Sequence, residues 1–505
     1  MGSPSCYHYS GIMSNSGNIV VIECDSMDGR VMGCMGHPAM RRATPNLDAL
    51  AARGTLFRNT YSNSPICVPS RSSMFSGQWT HHCRGWNNYK GLEPGTPTFL
   101  SRLLEAGYNT ASFGKTDYLS GRHTVRARVT PWTRAANIPR PAYSDHSPVV
   151  RPGDAQRVHV EDWEDVDASI QWLRRARGED RPLMLYLGLR APHPGFTTSQ
   201  FYWGRIDGDA VGLPGPDDWR HPSIDYLRTL INWEHGCDDD MVRRTRRVYL
   251  AMISEVDAMV GALLAALGEL GLTDSTTVLF LSDHGEMAME HRLVYKMAMF
   301  EPSVRVPMIV AGPELPRGQA VDELVSLVDV YPTLMDLAGR PLPDGLDGQS
   351  LVPLLHRRRD GRPDWVLSQC HDSGCNTGFF MVRRGRWKYI AYPGYPSQLF
   401  DLEADPGELH DLAAARPAVA AEMDGLLRQA VDYEAVDAEV KAYDRECFAA
   451  WRRRHKGDGT YDALMAKIYS GWEVPDERIQ PWRPEDEARI ERWLAGGDVA
   501  RASCP

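Results

Sequence analysis

A cysteine at position 67 is followed by a proline two residues later and by an arginine four residues later. Pro69 suits the first turn of a helix, because the N–H group that proline lacks is not needed there. The sequence predicts that this helix continues over 70–75 and ends near Gly77. Cys67 would then lie at the helix N-terminus, where negative charge is favoured, with Arg71 on the same side one turn later. A nucleophile beside a cation is suited to transferring an anionic group; a buried, unreactive cysteine is the alternative.

Four apolar runs that are typical of buried strands are each followed by polar groups able to bind ions or move protons. In chain order these groups are Asp25, Lys115, His193 and the pair Asp283–His284. If the strands are parallel, their carboxyl ends meet at one edge of the sheet, where ligands bind in such folds. The helix that begins near Cys67 would lie beside that edge, so the sequence predicts one site there.

The chemistry of these residues indicates a metal and an anion. Asp25, Asp283 and His284 could bind one divalent cation, since carboxylates suit Ca²⁺ or Mg²⁺ and a histidine nitrogen also admits Mn²⁺. Lys115 and Lys296 could hold an anionic group. Taken singly, each residue has an ordinary structural explanation, as a turn residue or as a solvated surface charge.

The elements around these residues alternate between strands and helices, which predicts an α/β fold with a large, mostly parallel sheet flanked by helices. Short strands separated by turn residues follow, and they predict a smaller C-terminal antiparallel sheet with a covering helix. We therefore divide the chain into a flexible N-terminal tail (1–17), a catalytic α/β domain (18–360) and a C-terminal subdomain with a helical tail (361–505). Residues 121–157 are predicted to be a long loop, and residues 195–237 an irregular insertion over the sheet edge, of the kind that often shapes a binding site.

Composition restricts the function classes. The 505-residue chain has a net charge of −10, so we expect no general attraction to nucleic acid or to anionic membranes. No apolar run of about 18 residues is evident, so no membrane-spanning helix is expected. The N-terminus lacks the pattern of a secretory signal, which predicts a cytoplasmic protein, or a secreted one whose leader has been removed. The ten cysteines occur singly and predict neither a disulfide framework nor a zinc site.

These motifs, taken together and in order, resemble the type I sulfatase family. The resemblance covers about residues 18–430, which makes chance agreement improbable. The matching elements are Asp25 after the first strand, Cys67-x-Pro69-x-Arg71, Gly114–Lys115, Pro192–His193, Ser282 to Gly285, Lys296 with Glu301, Trp387 to Tyr389, and Leu399 to Glu408. The resemblance implies an alkaline-phosphatase-like sulfatase fold. It also implies that Cys67 is oxidised to Cα-formylglycine by a formylglycine-generating enzyme, which would be a partner during maturation.

The resemblance further implies a mechanism. Residue 67 would act as a hydrated aldehyde, with one hydroxyl attacking sulfur and the other losing its proton to release sulfate. Asp25, residue 67, Asp283 and His284 would bind one divalent cation, most often Ca²⁺, with Mn²⁺ or Mg²⁺ as alternatives. The remaining catalytic residues would be Arg71, orienting residue 67; Lys115 and Lys296, holding the sulfate; and His193, protonating the leaving alkoxide.

Several stretches are most similar to the glucuronate-2-sulfatase branch of the family. They are 63–67, 86–91, 113–118, 282–296 and 387–392. This similarity implies a sulfated saccharide as the substrate, with the 2-O-sulfate of a glucuronate residue in glycosaminoglycan-type glycans as the group removed. Substrate contacts would come from Lys115, His193 and Lys296 on the sulfate, and from His123, Trp86 and His371 on the sugar.

Three positions depart from the usual family pattern. Ser26 follows Asp25 where many members have a second aspartate, His284 stands where asparagine is common, and Asp117 stands where many have histidine. His123 is our candidate to replace that histidine. A histidine at position 284 also resembles phosphonate monoester hydrolases, so a phosphonate or phosphate ester hydrolase remains an alternative. A non-catalytic binder of sulfated glycans, with Cys67 unmodified, is the other. The sequence does not indicate an oligomeric state.

Overall fold

The computed structural model describes residues 17–121, 148–231, 238–358, 361–372, 374–466 and 484–496. Strands in this part of the chain are β1 (Asn18–Cys24), β2 (Thr55–Tyr61), β3 (Asn109–Gly114), β4 (Val149–Arg151), β5 (Leu183–Gly188), β6 (Thr197–Ser199), β7 (Thr276–Ser282), β8 (Arg305–Ala311), β9 (Gln319–Ser326), β10 (Trp365–Cys370), β11 (Phe379–Arg384), β12 (Trp387–Ala391) and β13 (Gln398–Asp401).

The α-helices in the same part of the chain are α1 (Pro45–Ala52), α2 (Cys67–Ser76), α3 (Thr80–Cys83), α4 (Phe99–Glu105), α5 (Val160–Ala176), α6 (Gln200–Trp203), α7 (Pro222–Ile231), α8 (Asp239–Glu269), α9 (Glu301–Val304), α10 (Val330–Leu337), α11 (Val352–Leu355), α12 (Pro417–Ala430), α13 (Tyr433–Gly457), α14 (Tyr461–Ala466) and α15 (Pro484–Leu494).

The large sheet has seven strands in the order β3-β5-β1-β7-β8-β2-β9. Its first four strands are parallel to one another, whereas β8 runs antiparallel to both β7 and β2. The α/β fold with a mostly parallel sheet is thereby confirmed. Because β3, β5, β1 and β7 are adjacent and parallel, the four predicted site positions at their carboxyl ends lie along one edge of the sheet.

Helices cover both faces of this sheet, which explains why its central strands are apolar throughout. In β1, Val20 and Ile22 pack into the core on the side of α8, and Ile19 and Val21 into the core on the side of α2, α4 and α10. Side chains of β1 therefore alternate between two hydrophobic layers, and burial on both sides fixes its register against β5 and β7.

No helix long and apolar enough to span a membrane was expected, but α8 is such a helix. By length and composition alone it could cross a membrane, since its most apolar 18-residue window has a mean hydropathy of 1.8. That window is 72% buried inside the protein, however, and its apolar stripe belongs to the core on one face of the sheet. The helix is therefore accounted for as a core element.

The smaller sheet is antiparallel, in the order β10-β11-β12-β13, and α12 packs on it through Met423 and Leu427. The predicted antiparallel sheet and its covering helix are confirmed, while the exact domain boundaries stay a prediction. The insertion 195–237 was predicted to be irregular, but it contains β6, α6 and α7. That prediction was wrong because its scattered Pro and Gly residues concealed the short periodic segments between them.

A buried lysine connects the two sheets. Lys388 on β12 is fully buried, and its Nζ lies 2.8 Å from Glu301 at the start of α9 and 2.8 Å from Glu408. Although burial raises the pKa of Glu301, the neighbouring Lys388 and Arg383 outweigh it and lower this pKa overall. The family motifs around residues 301, 388 and 408 therefore have a structural role as an anchor between the sheets.

Replacing this lysine should destabilise the protein. In Lys388→Met, Glu301 and Glu408 would be left buried without their shared cation, which typically costs about 3–5 kcal/mol in the free energy of unfolding. The midpoint of urea unfolding should fall accordingly. Arg58→Met is the matched control, because the pair of Arg58 with Asp322 is exposed and should contribute less than about 1 kcal/mol. Equal midpoints for the two variants would contradict the anchor role.

Candidate active site

The four strand ends bring the predicted residues together. Asp25 follows β1 and Asp283 follows β7, and both are fully buried. Two glycines allow the chain to approach itself closely at these ends. A Cβ atom on Gly285 would lie 1.9 Å from the carbonyl oxygen of Pro302, and one on Gly188 would lie 1.9 Å from that of Lys115. No larger residue could occupy either position without moving the backbone that carries the site.

The helix α2 places Cys67 at its first residue, as predicted. The backbone changes from an extended conformation at Ile66 to the helix at Cys67, and it leaves the helix at Gly77, whose φ of +69° suits glycine. The N–H of Val68 donates to the side-chain oxygen of Asn88 at 3.1 Å. This loop residue therefore caps one of the free N–H groups beside the predicted nucleophile.

Asp25, Cys67, Asp283 and His284 form one compact cluster. All four are buried, and one potential ligand atom from each lies within 4.8 Å of the others. The Sγ of Cys67 is 3.3 Å from His284 Nε2 and 4.0 Å from Asp25 Oδ1. His284 Nε2 lies 3.6 Å from Asp25 and 3.7 Å from Asp283. Two carboxylates, an imidazole and the residue 67 side chain around one point are a suitable donor set for a divalent cation.

The orientation of His284 fits this function. Its Nδ1 lies 2.9 Å from the carbonyl oxygen of Gly285. Since a carbonyl only accepts hydrogen bonds, the proton is on Nδ1, and the Nε2 lone pair points toward the carboxylates. Metal-binding histidines are commonly fixed by such a bond from the other ring nitrogen. The departure at position 284 therefore preserves a metal-binding donor.

Arg71 is fully buried behind this cluster. Its Nε donates to Asp283 at 3.0 Å, and its Nη1 lies 3.2 Å from Glu23 and donates to the hydroxyl of Tyr186 at 2.8 Å. Burial raises the pKa of Glu23 to about 7, against the opposing effect of Arg71. These contacts fix Asp283, so any orientation of residue 67 by Arg71 would act through that carboxylate. Glu23 and Tyr186 are parts of the site that the sequence analysis did not single out.

Two lysines supply the positive charge. Lys115 donates to Asp25 and lies 3.5 Å from Asp117, and Lys296 donates to His193 Nε2 at 2.6 Å. Burial and Asp25 both raise the pKa of the Cys67 thiol, but Lys115, Lys296 and His284 outweigh them, so this pKa is lowered overall. The field at residue 67 therefore favours a negative charge.

The pair of Lys296 and His193 has a defined proton arrangement. His193 Nδ1 lies 2.5 Å from the carbonyl oxygen of Pro194, so Nδ1 carries a proton. Nε2 therefore accepts a hydrogen bond from the Lys296 ammonium. Burial and the Lys296 ammonium lower the pKa of His193 to about 3. His193 is therefore a neutral imidazole beside the Lys296 ammonium.

An open cavity of about 400 Å³ adjoins this cluster, and Asp25, Lys115 and His193 line it. Its wall also contains His159 and Arg190, which the sequence analysis did not identify. Each is fixed by buried carboxylates. Glu255 accepts a hydrogen bond from His159 Nδ1 at 2.8 Å, and Asp162 accepts from the backbone N–H of Arg190 at 2.9 Å. No local motif marks these residues, because their partners are distant in the sequence or belong to an ordinary amphipathic helix.

Of the three residues predicted to contact the sugar, the structure describes Trp86 and His371. Trp86 and His371 are each only 1% exposed, and their rings meet edge to face at a centroid distance of 6.0 Å. Both side chains are buried below the protein surface. Their direct contact with a sugar therefore stays a prediction. His123 lies outside the described residues. Asp117, which stands where the family commonly has histidine, lines the cavity.

Comparison with known proteins identifies two family models and several similar proteins. The family model described as Sulfatase matches residues 17–340, and the one described as N-sulphoglucosamine sulphohydrolase, C-terminal, matches residues 289–432. Arylsulfatase K from Danio rerio is 38% identical over 526 residues, covering 98% of this chain and 97% of that protein. Its counterpart from Homo sapiens is 37% identical over 507 residues, covering 94% and 92%.

Among solved structures, the chain is similar to the phosphonate monoester hydrolase of Agrobacterium radiobacter. The TM-score is 0.69 with 24% sequence identity, and the match covers 84% of this chain and 96% of that protein. At this level of identity the similarity concerns the fold alone.

Proposed function

Since the chain belongs to the sulfatase family and hydrolyses sulfuric esters, we propose that its substrate is a sugar sulfate, the 2-O-sulfate of a glucuronate residue in glycosaminoglycan-type glycans. Its fold is that of the alkaline-phosphatase-like sulfatases. The choice of a 2-sulfated uronate rests on the similarity of the stretches around residues 63–67, 86–91 and 282–296 to the glucuronate-2-sulfatase branch.

One observation carries the proposal. Cys67 lies at the start of a helix, within 4.8 Å of a buried donor set and in the field of two lysines, and Asp25 of that donor set lines an open cavity. This arrangement can hold an ester anion against a nucleophile and leave the alcohol part in solvent. It combines positioning with fixed electrostatic stabilisation, the two effects that anion transfer needs most.

The proposed roles follow from the contacts. Lys115 and Lys296 would bind the sulfate oxygens as cations. The bound anion favours the protonated form of His193, which would take its proton from solvent in the open cavity and give it to the leaving sugar oxygen. His159 and Arg190 would face the sugar from the cavity wall. When Cys67 is oxidised to formylglycine, its hydrated form supplies one hydroxyl for attack and a second for release of sulfate. Asp25, Asp283 and His284 would hold a divalent cation, whose chemistry is to stabilise negative charge at residue 67 and the sulfate.

Removal of that cation should be visible without an activity assay. A ligand that binds only the folded state stabilises it, so chelation should lower the melting temperature and adding Ca²⁺, Mn²⁺ or Mg²⁺ should restore it. Activity should fall at least about 10²-fold after chelation, as the loss of several kcal/mol of charge stabilisation implies.

Matched carboxylate variants test the location of the cation. Asp283→Asn should remove the metal-dependent rise in melting temperature, whereas Asp322→Asn, at a largely exposed side chain, should keep it. If Asp283→Asn retained the full rise, the cation would have to bind elsewhere. The ion that restores both stability and activity at the lowest concentration identifies the native metal.

The substrate proposal is tested with a panel of 2-, 4- and 6-sulfated sugars beside a phosphonate monoester. The protein should be co-expressed with a formylglycine-generating enzyme, and peptide mass spectrometry should establish the fraction of residue 67 that carries the aldehyde. We expect the 2-sulfated glucuronate to be hydrolysed with the highest kcat/KM. Faster hydrolysis of the phosphonate would favour the alternative function. Full activity with an unmodified cysteine would overturn the mechanism.

A further inference from the structure

The helix α13 begins where the match to the C-terminal family model ends. The C-terminal family model stops at residue 432, and α13 runs from Tyr433 to Gly457. One face of this helix is buried, and two of the buried side chains are aspartates. Asp437 is 6% exposed and Asp444 is fully buried. Their spacing of seven residues places them on the same side of the helix. A buried aspartate is costly unless it is hydrogen-bonded, so the partners of this pair reveal what the helix holds.

Asp444 holds the loop that contains Asn87. The amide Nδ2 of Asn87 donates to Asp444 Oδ1 at 3.2 Å. The amide oxygen of Asn87 accepts from the backbone N–H groups of Tyr89 and Lys90 at 3.0 and 3.1 Å. One side chain therefore both shapes the turn and attaches it to α13.

Asp437 holds a second loop, between β10 and β11. Its Oδ1 accepts from the backbone N–H of Gly378 at 2.8 Å and from the hydroxyl of Thr377 at 3.4 Å. The two loops are joined at Asn88, whose backbone N–H donates to Asp372 at 2.7 Å. Both loops are thus fixed by one helix, and they also contact each other through this hydrogen bond and through the rings of Trp86 and His371.

Asn88 connects this framework to the nucleophile. Its side-chain oxygen accepts from the N–H of Val68, the residue after Cys67. A continuous path of hydrogen bonds and one peptide bond therefore leads from Asp444 through Asn87 and Asn88 to the first turn of α2.

We propose that α13 is a positioning element of the active site, and that Asp444 is a positioning residue that sets the location of residue 67 through Asn87 and Asn88. The helix does not contact the reacting atoms. Its effect is to hold the N-terminal turn of α2 in register with the donor set, because a displacement of about 1 Å at a reacting group can cost about 10²-fold in rate. The inference rests on sulfatase activity at this site but not on the identity of the sugar.

The test compares Asp444→Leu with Asp444→Asn, using an activated aryl sulfate as the probe. Leucine removes the acceptor for Asn87, whereas asparagine retains an oxygen at the same place. We expect Asp444→Leu to lower kcat by about 10- to 100-fold with KM changed less than about threefold, and Asp444→Asn to stay within about threefold of the wild type in both. Glu446→Gln, at an exposed position on the same helix, should equal the wild type.

Rates are normalised to the folded fraction and to the fraction of residue 67 that carries the aldehyde, so that loss of fold or of modification is not mistaken for mispositioning. Asn88→Ala should give a similar loss in kcat. The double variant Asp444→Leu/Asn88→Ala should lose no more than the larger single loss, because both changes interrupt one path. Multiplicative losses, or a normalised kcat at the wild-type level in Asp444→Leu, would overturn the inference. Inactivity of the wild type on every sulfate ester would instead overturn the proposed function.

Discussion

Cys67→Ser should leave the protein folded and abolish turnover. Cys67 occupies the first residue of α2, and serine differs from it by one atom, so we expect the melting temperature to change little. Serine has a single hydroxyl. If it attacked sulfur, the resulting sulfate ester would lack the second hydroxyl that expels sulfate in the proposed mechanism. Loss of a nucleophile of this kind should lower kcat by on the order of 10⁴-fold or more.

The measurement separates attack from release. Intact mass after incubation with an aryl sulfate should show at most one sulfate retained per Cys67→Ser molecule, with no further product. Cys83→Ser is a suitable control, because Cys83 lies at the end of α3 and outside the donor cluster. It should retain wild-type kcat. Multiple turnovers at more than about one tenth of the wild-type rate in Cys67→Ser would show that residue 67 is not the proposed nucleophile.

His193→Ala should harm a sugar sulfate far more than an activated aryl sulfate. A sugar alkoxide needs a proton as it leaves, whereas a nitrophenolate leaves readily without one. General acid catalysis is typically worth about 10²–10⁴-fold, so kcat/KM on the sugar sulfate should fall by that amount while the aryl sulfate loses less than about tenfold. The ratio of the two losses is the quantity to measure.

Lys115→Ala is the control for this comparison. Lys115 lies beside Asp25 and would bind the sulfate itself, so its loss should slow both substrates by similar factors. Equal losses on both substrates for His193→Ala would indicate that His193 binds sulfate. The leaving-group proton would then have to come directly from Lys296, which lies 2.6 Å from His193, or from His123.

Much of the site follows from local sequence because the geometry of parallel sheets is general. Asp25, Lys115 and Asp283 could be placed at one edge from the apolar runs that precede them, without knowledge of strand order. Cys67 could be placed at a helix start from Pro69 and the small residues after it. Both predictions are confirmed, since each depends on interactions within a few residues of the chain.

The parts that the sequence did not reveal depend on distant contacts. β2 and β9, at the end of the sheet, were not predicted. In β9, charged side chains such as Asp322 and Glu323 weaken the apolar pattern. The bonds from Glu255 to His159 and from Asp444 to Asn87 join residues 96 and 357 positions apart. No periodicity or local motif encodes such pairs, which arise only once the sheet has placed their elements.

The balance of charges in the buried cluster has a thermodynamic consequence. Arg71 and the two lysines face three carboxyl groups, those of Glu23, Asp25 and Asp283. A divalent cation alone leaves this region with excess positive charge, and a sulfate ester alone leaves it with excess negative charge. The affinities for the two ligands should therefore be linked, each raising the other by the same factor. Free sulfate released by the reaction would share this linkage, so that accumulation of product retains the metal while it occupies the place of the next substrate.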